Sequence, residues 1–507
     1  MSQLKKGAIL NYITILLTNV VGLFITPFIL GHLGKSEYGV YLAIGAIIAT
    51  ISVLDLGLNN STIRFVAKYR AEKDRKAEEN FLATTMIIYS FISSLIVLIG
   101  IIFYNNIDSY FTNMNAHEIE VAKTIFILLI VNLAIGLPGG IFTGICSGYE
   151  IFVFPKTINI IRYVLRTVTV VTVLTIGGKA IALVVIDTIY NLLVILVMLY
   201  YVFFKLNVKF KLHNFNLKYI RHIFGYSIWI FIFSLVAMIQ WKAGQWVLAK
   251  IALPEVLTIY GLGIVLGTYY SAFSEAISTV FLPKATQMTV GNASGEELTT
   301  MMIKIGRITF IVLMYILGAF SMFGNQFVNL WVGKELGPEG SFDTWLIALL
   351  IMLAYTLPLV QSFVNSILEA KHKLSFKAIF NLTFLALGTL AGAFLAKSYG
   401  AIGMISGSIL GWVIVQNIMN FYYHKVIGLN ILRFFKELLH KTIFAVIITF
   451  TIGYFISLIP GASWINFIIK AVCYSIVYAL VMYNIGFIEF EKNLSKNSIN
   501  TLVGKFK

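Results

Sequence analysis

The feature that most constrains this chain is a succession of uncharged apolar runs, each about 20 residues long, separated by short polar segments. The first run, Ala8 to Leu30, leads into the loop Leu33-Gly34-Lys35-Ser36-Glu37-Tyr38-Gly39. A second run, Val40 to about Ile63, carries the chain back and ends in Arg64-Phe65-Val66-Ala67-Lys68-Tyr69-Arg70. At about 1.5 Å per helical residue, either run crosses a hydrocarbon layer of ~30 Å. With 59% hydrophobic and 12% charged residues, the chain has more apolar surface than a soluble core absorbs. The period-two alternation of a barrel is absent, so an all-α polytopic membrane protein is expected. No Ala-x-Ala cleavage site follows the first run, which therefore reads as an uncleaved span.

Fourteen spans are predicted, at approximately 8–30, 39–63, 81–103, 119–146, 157–177, 180–204, 224–250, 256–281, 303–325, 343–368, 377–397, 401–424, 438–459 and 464–487. The net charge of +16 would suit a nucleic-acid binder, but the basic residues sit in the connections between spans. With both termini inside, 28 basic residues fall on inner segments, among them Lys68, Arg70, Lys218, Arg221, Arg307, Lys371 and Lys373, against 6 on outer ones. That asymmetry is the positive-inside pattern of a membrane protein, and no basic surface is large enough to neutralise many phosphates. The longest outer segments, around 104–118 and 326–342, are too short for a catalytic domain.

Internal repetition sets the expected architecture. Tyr38-Gly39 recurs as Tyr260-Gly261, Leu137-Pro138 as Leu357-Pro358, and Ala180-Ile181 as Ala401-Ile402, at offsets of 222, 220 and 221. Phe154-Pro155-Lys156 is echoed by Phe376-Lys377. Two pseudo-symmetric six-helix lobes inserted in the same orientation follow: residues 1–215 with spans one to six, and 216–424 with spans seven to twelve. Residues 425–507 hold two extra helices and a cytoplasmic tail. Glycine stripes at Gly136, Gly140, Gly144 and Gly148, and at Gly403, Gly407 and Gly411, are expected to bring helices close together.

Ionisable groups at membrane depth cost several kcal/mol unless paired or hydrated, so each is a candidate for function. Arg162 and Arg166, four apart on the fifth span, share a helix face. Counted from the Gly177-Gly178 turn, Arg166 lies ~16 Å deep, Arg162 ~22 Å and Asp187 ~12 Å, and Asp55 lies ~25 Å from the outer end of its own span. These depths allow ion pairs between Arg166 and Asp187 and between Arg162 and Asp55. The sharper alternative gives the arginines an anionic head group to attract, since guanidinium bonds phosphate oxygens in pairs. Lys242 sits mid-depth in Gln240-Trp241-Lys242-Ala243-Gly244-Gln245-Trp246, and Glu275 is mismatched with it in depth. Indole faces stack on sugars and Gln amides bond hydroxyls, so Gln240, Trp241, Gln245 and Trp246 read as a sugar-friendly lining around Lys242. The bland alternative pairs Lys242 with an acid such as Asp55. Lys470, near the start of its span, is expected to snorkel outward.

All seven histidines, His32, His117, His213, His222, His372, His424 and His440, fall in loops or at span ends. Cys146 and Cys473 lie in or beside apolar runs with no disulfide or metal spacing. No nucleotide-binding glycine loop is present. No catalytic residue, metal site or cofactor is therefore expected.

Asn11, the Leu33-Gly34 to Tyr38-Gly39 loop, Asp55-Leu56-Gly57 running to Arg64, and Gly148-Tyr149 before Pro155 resemble the polysaccharide flippases. These are the Wzx-type (O-antigen) members of the multidrug/oligosaccharidyl-lipid/polysaccharide (MOP) exporter superfamily, and the likeness covers nearly the whole chain. It implies translocation of an undecaprenyl-pyrophosphate-linked oligosaccharide across the bacterial cytoplasmic membrane by alternating access, through a V-shaped, positively lined cavity between lobes. The implied partners are the lipid-linked oligosaccharide, membrane lipids and other polysaccharide-assembly membrane proteins, with no nucleic acid. The alternatives are a multidrug/cation antiporter of the same superfamily, which is expected to carry a cation-binding carboxylate, or a lipid II flippase. A membrane polymerase or ligase would need an outer catalytic loop, which the short loops disfavour.

Overall fold

The computed structural model describes residues 3–214, 228, 231–291, 293–371 and 373–503. Lys218, Arg221, His222, His372, Lys505 and Lys507 lie outside the described residues, as does the start of the seventh expected span. The described residues are helical or in turns, with no strand among them.

Helix α1 (Gln3–Ser52) is two limbs joined at Gly34, whose φ of 76° breaks the helix where the first hairpin turns. A short 3-10 turn (Val53–Asp55) leads to α2 (Leu58–Ala71). Then follow α3 (Arg75–Tyr104), a one-turn α4 (Ile107–Tyr110), α5 (Ala116–Gly148), α6 (Val153–Thr175) and α7 (Ala180–Tyr200). Helix α8 (Phe231–Ile251) precedes α9 (Pro254–Val290) and the 66-residue α10 (Gly295–Val360), itself two limbs joined at Gly337. Beyond it come α11 (Phe363–Ala370), α12 (Leu374–Tyr422, broken at Gly400), α13 (Ile431–Leu439), α14 (Thr442–Ser457), α15 (Trp464–Val481) and α16 (Glu489–Val503).

Ten helices are long and apolar enough to cross a membrane, and α13 and α14 form one further pair bent by 45°. Three of the ten contain a second limb beyond Gly34, Gly337 or Gly400, so ten, three and one make the fourteen crossings expected. Capping boxes set some starts: Asn115 with Glu118 opens α5, and Ser294 with Glu297 opens α10 eight residues before the apolar run at 303. The segment 326–342, expected as an outer loop, is instead helix on both sides of Gly337. Pro338 stands at the first position of the new limb, where a missing N–H costs no hydrogen bond.

The chain forms two compact units, Met1–Thr258 and Ile259–Lys507. The first extends beyond the sequence repeat at 215 because α8 packs on α1. Lys35 pairs with Glu255 at 2.9 Å, and the Thr258 hydroxyl donates to the Lys35 carbonyl at 2.6 Å. Within this unit α5 is the central post, touching α1, α2, α3 and α7. Gly144 and Gly148 receive Asn59, Thr62 and Val66 of α2, where any Cβ would collide. Gly140 meets nothing and takes no part in that seam. In the second unit α10 packs against α12, α13, α14 and α15, and the limbs of α12 approach backbone to backbone at Gly392 and Gly407.

Candidate functional site

Helix α6 carries a polar stripe at Lys156, Asn159, Tyr163 and Arg166, a spacing of three to four residues that keeps one helical face. That face meets α1 and α7. Lys156 donates to Asn11 Oδ1 at 2.6 Å, and Tyr163 donates to the Thr18 carbonyl at 3.1 Å. Arg166 forks onto Asp187 of α7, with Nη2 to Oδ2 at 3.0 Å and Nε bonded to Oδ1. Both partners are half-buried, so the bidentate pair is neutralised but not sealed. Arg162, also half-buried, has no hydrogen-bond or ion-pair partner among the described residues.

Asp55 does not meet Arg162. The chain leaves the helix at Val53–Asp55 and passes Leu56 (φ 55°) and Gly57 (φ 72°) in left-handed geometry. This carries the carboxylate to α3, where Tyr89 donates to Oδ1 at 3.0 Å. Counting along a straight helix misses such a break. Lys242 has no acid either: among the described residues neither Asp55 nor any other carboxylate pairs with it. Glu275 belongs to the second unit, is exposed, and has no ion pair among the described residues.

Lys242 stands in one turn of π-helix, Ile239–Ala243, within α8. Such an insertion rotates the side chains that follow it and often marks a functional site. Gln240 and Trp241 are half-buried, and Gln245 is 2% exposed with Oε1 unpaired. Trp246 is committed elsewhere: its ring stacks on Tyr110 at 6.2 Å, and its carbonyl accepts from the Tyr110 hydroxyl at 3.0 Å. The aromatic part of the expected lining is thus divided, with Trp246 held to α4.

Several polar residues escaped the sequence reading. Asn191 donates to Asn132 at 2.5 Å between α7 and α5. Arg307, read as an inner connecting charge, is only 1% exposed and bonds Glu491 together with the carbonyls of Glu437, His440 and Gly486. Lys470 does not snorkel; it is buried, donating to Gln326 at 3.0 Å and to the Ser457 carbonyl at 3.3 Å. The Gly148-Tyr149 motif serves architecture. Tyr149 donates to buried Glu78 at 2.7 Å and lies 4.1 Å under the Arg70 guanidinium. Burial, with the Glu78 bond, pushes its phenol up to about 12. Among the described residues no group of three His, Cys, Asp or Glu could hold a metal ion.

Residues 4–289, more than half of the chain, match the family described as polysaccharide biosynthesis protein. The chain belongs to that family. No curated protein matches the sequence significantly. Among solved structures, the lipid II flippase MurJ in an inward closed conformation superposes with a TM-score of 0.73 at 13% identity, covering 94% of this chain and 97% of that one. An inward-facing multidrug resistance MATE family transporter of the MOP superfamily gives 0.60 at 15% identity, over 83% and 95%. A MOP superfamily transporter from Pyrococcus furiosus gives 0.50 at 15% identity, over 82% and 92%. This family member therefore has the fold of the MOP transporters.

Proposed function

We propose that the chain is a flippase that moves an undecaprenyl-pyrophosphate-linked oligosaccharide from the inner to the outer leaflet of the bacterial cytoplasmic membrane. It is a transporter in this reading and not an enzyme, working by alternating access between two six-helix lobes, 1–215 and 216–424, with 425–507 appended and both termini cytoplasmic. The observation that carries the reading is the set of cations on α6 and α8, helices without an acidic residue, in a polysaccharide-biosynthesis protein. Among the described residues neither Arg162 nor Lys242 has a carboxylate in ion-pair contact, Arg162 feeling Asp187 only from farther off, and Arg166 keeps its Asp187 fork half-exposed. A pyrophosphate with sugars cannot cross hydrocarbon unaided, whereas its polyprenyl tail already resides there. The protein needs only a polar, positive path for the head, and guanidinium and ammonium groups supply it. Gln240, Trp241 and Gln245 stand beside Lys242 for sugar hydroxyls and faces.

A lipid II flippase is the second reading, favoured by the superposition on MurJ. A multidrug/cation antiporter is less well supported, because α6 and α8 carry basic residues and no acidic one. Leaflet assignment of labelled polyprenyl-linked head groups in vesicles, with and without the protein, tests the proposal. Redistribution of an oligosaccharide-bearing lipid supports it. Redistribution of lipid II alone would favour the second reading, and an unchanged distribution for every head group would reject both.

A further inference from the structure

The end of α7 holds an arrangement that the flippase reading does not use. The helix widens into a π-turn at Tyr201–Lys205, and Asn207, left-handed at φ 52°, turns the chain back. The Val208 amide then donates to the Val202 carbonyl at 3.2 Å. From here Val208, Phe210 and Leu212 alternate with Lys209, Lys211 and His213, the period of an extended segment with one apolar and one basic edge. Two of the apolar residues are covered by the protein. Val208 is buried, and the Phe210 ring meets Phe203 at 5.4 Å and Phe142 at 6.3 Å. The His213 and Asn214 amides both donate to Asn80 Oδ1 at 2.8 Å, which pins the far end of the segment. Lys205, Lys209 and Lys211 are left exposed, with no ion pair among the described residues. Glu79 is bonded to His213 at 2.9 Å and feels Lys209 and Lys211 only from farther off.

A groove of about 470 Å³ lies against this turn, lined by Leu199, Phe203, Phe204, Asn207, Val208 and Lys209. That volume is in the range of ligand sites, about 300–1,000 Å³. Tyr200 and Phe204 are exposed there and stack on each other at 5.0 Å, as aromatic residues do at the level of lipid head groups. The turn itself recurs in the second unit. There a π-turn at Tyr423–Ile427 is followed by Gly428 at φ 82°, and the Leu429 amide donates to the Tyr423 carbonyl at 3.0 Å. At the repeat offset of 221, however, Lys205, Lys209 and Lys211 correspond to Val426, Asn430 and Leu432. The turn therefore needs none of the three lysines, and their presence in the first unit points to a ligand. Its chemistry follows from the walls: an apolar part for Leu199, Phe203 and Phe204, and a negative part for the amines. A phospholipid with a net negative head has both. A second copy of the chain does not fit, because a two-fold contact here would set lysines against lysines.

We propose that this groove binds an anionic phospholipid, with an acyl chain along Leu199, Phe203 and Phe204 and the head group against Lys209, Lys205 and Lys211 adding to the attraction. The proposal goes beyond the flippase reading and does not depend on it. The test uses purified full-length protein in detergent micelles doped with phosphatidylglycerol or, at equal mole fraction, phosphatidylcholine. A ligand of the folded state raises the thermal midpoint in a saturable way. The wild type is expected to show this rise with phosphatidylglycerol and little of it with phosphatidylcholine. The triple variant Lys205→Gln/Lys209→Gln/Lys211→Gln should weaken the apparent affinity for phosphatidylglycerol by about tenfold or more. Leu199→Trp, which fills the groove and keeps every lysine, should weaken it as well. If Leu199→Trp does not fold, Phe204→Ala, at an exposed wall, takes its place. The control Lys73→Gln/Lys76→Gln, at exposed lysines elsewhere on the same unit, should respond as the wild type does. Equal wild-type responses to the two lipids would overturn the proposal, as would a triple variant that responds like the wild type. A control that loses as much as the triple variant would overturn it too, since any basic surface would then serve. So would a response that survives in the groove variant, leaving head-group attraction with no chain bound. None of these readouts involves a polyprenyl-linked lipid or a change of leaflet, so the two readings fail separately.

Discussion

Arg307 in the second unit and Arg162 in the first are both arginines placed within or at the edge of the apolar zone, yet their surroundings are opposite. Arg307 is enclosed: Nε meets Glu491 at 2.6 Å, Nη1 meets the Glu437 and His440 carbonyls at 2.7 and 2.9 Å, and Nη2 meets the Gly486 carbonyl at 3.1 Å. Glu491 in turn accepts the Ile488 amide at 2.6 Å. The guanidinium thus ties α10 to the end of α13, the turn after α15 and the start of α16, and little donor capacity remains. Arg162 has no such partners among the described residues, and its neighbour Arg166 has one that is half-exposed. An arginine whose donors are all spent on its own chain can only hold structure. One with donors to spare at membrane depth can meet a ligand.

The largest expected effect lies on the enclosed side of this contrast. Arg307→Ala leaves Glu491 buried without its counter-ion, a loss of about 3–5 kcal/mol. The expected outcome is little folded protein in fluorescence-detected size exclusion, and a wild-type profile would break the comparison. Arg166→Gln should cost less, about 1–3 kcal/mol, because Asp187 loses a charged bond but keeps some solvent. Adding Asp187→Asn should recover most of the thermal midpoint while leaving transport reduced, which sharpens the division between holding and binding. Arg162→Gln and Lys242→Gln should each leave the midpoint within about 0.5 kcal/mol of wild type and lower oligosaccharide export by about tenfold. The smallest effect belongs to Arg162→Lys, which keeps the charge but loses the fork. Export should fall by less than in Arg162→Gln, measured in the same cells.

Much of this fold is legible in the residues because bilayer thickness fixes how long an apolar run must be. Span number follows from that length, and the hairpin turns follow from Gly34, Gly337 and Gly400, which adopt conformations other residues disfavour. Arg166 and Asp187 meet because their helices run unbroken from the Gly177-Gly178 turn, so residue count measures depth. The same count misplaces Asp55, since the 3-10 turn and two left-handed residues redirect its side chain to Tyr89. Nothing local announces the π-turn at Ile239–Ala243. Arg307 reads as an ordinary basic residue at a span end because its partners lie 130 to 184 residues away in sequence. Long-range enclosure of that kind leaves no periodic trace.

The central claim is that unpaired cations on α6 and α8 take an anionic, polyprenyl-linked head group. Its most direct test is the rate at which one labelled lipid-linked oligosaccharide changes leaflet in proteoliposomes, comparing wild type with the Arg162→Gln/Lys242→Gln double variant at equal reconstituted amounts and matched thermal midpoints. The account predicts rapid exchange for the wild type and a background rate for the double variant. Equal rates for the two proteins would contradict it.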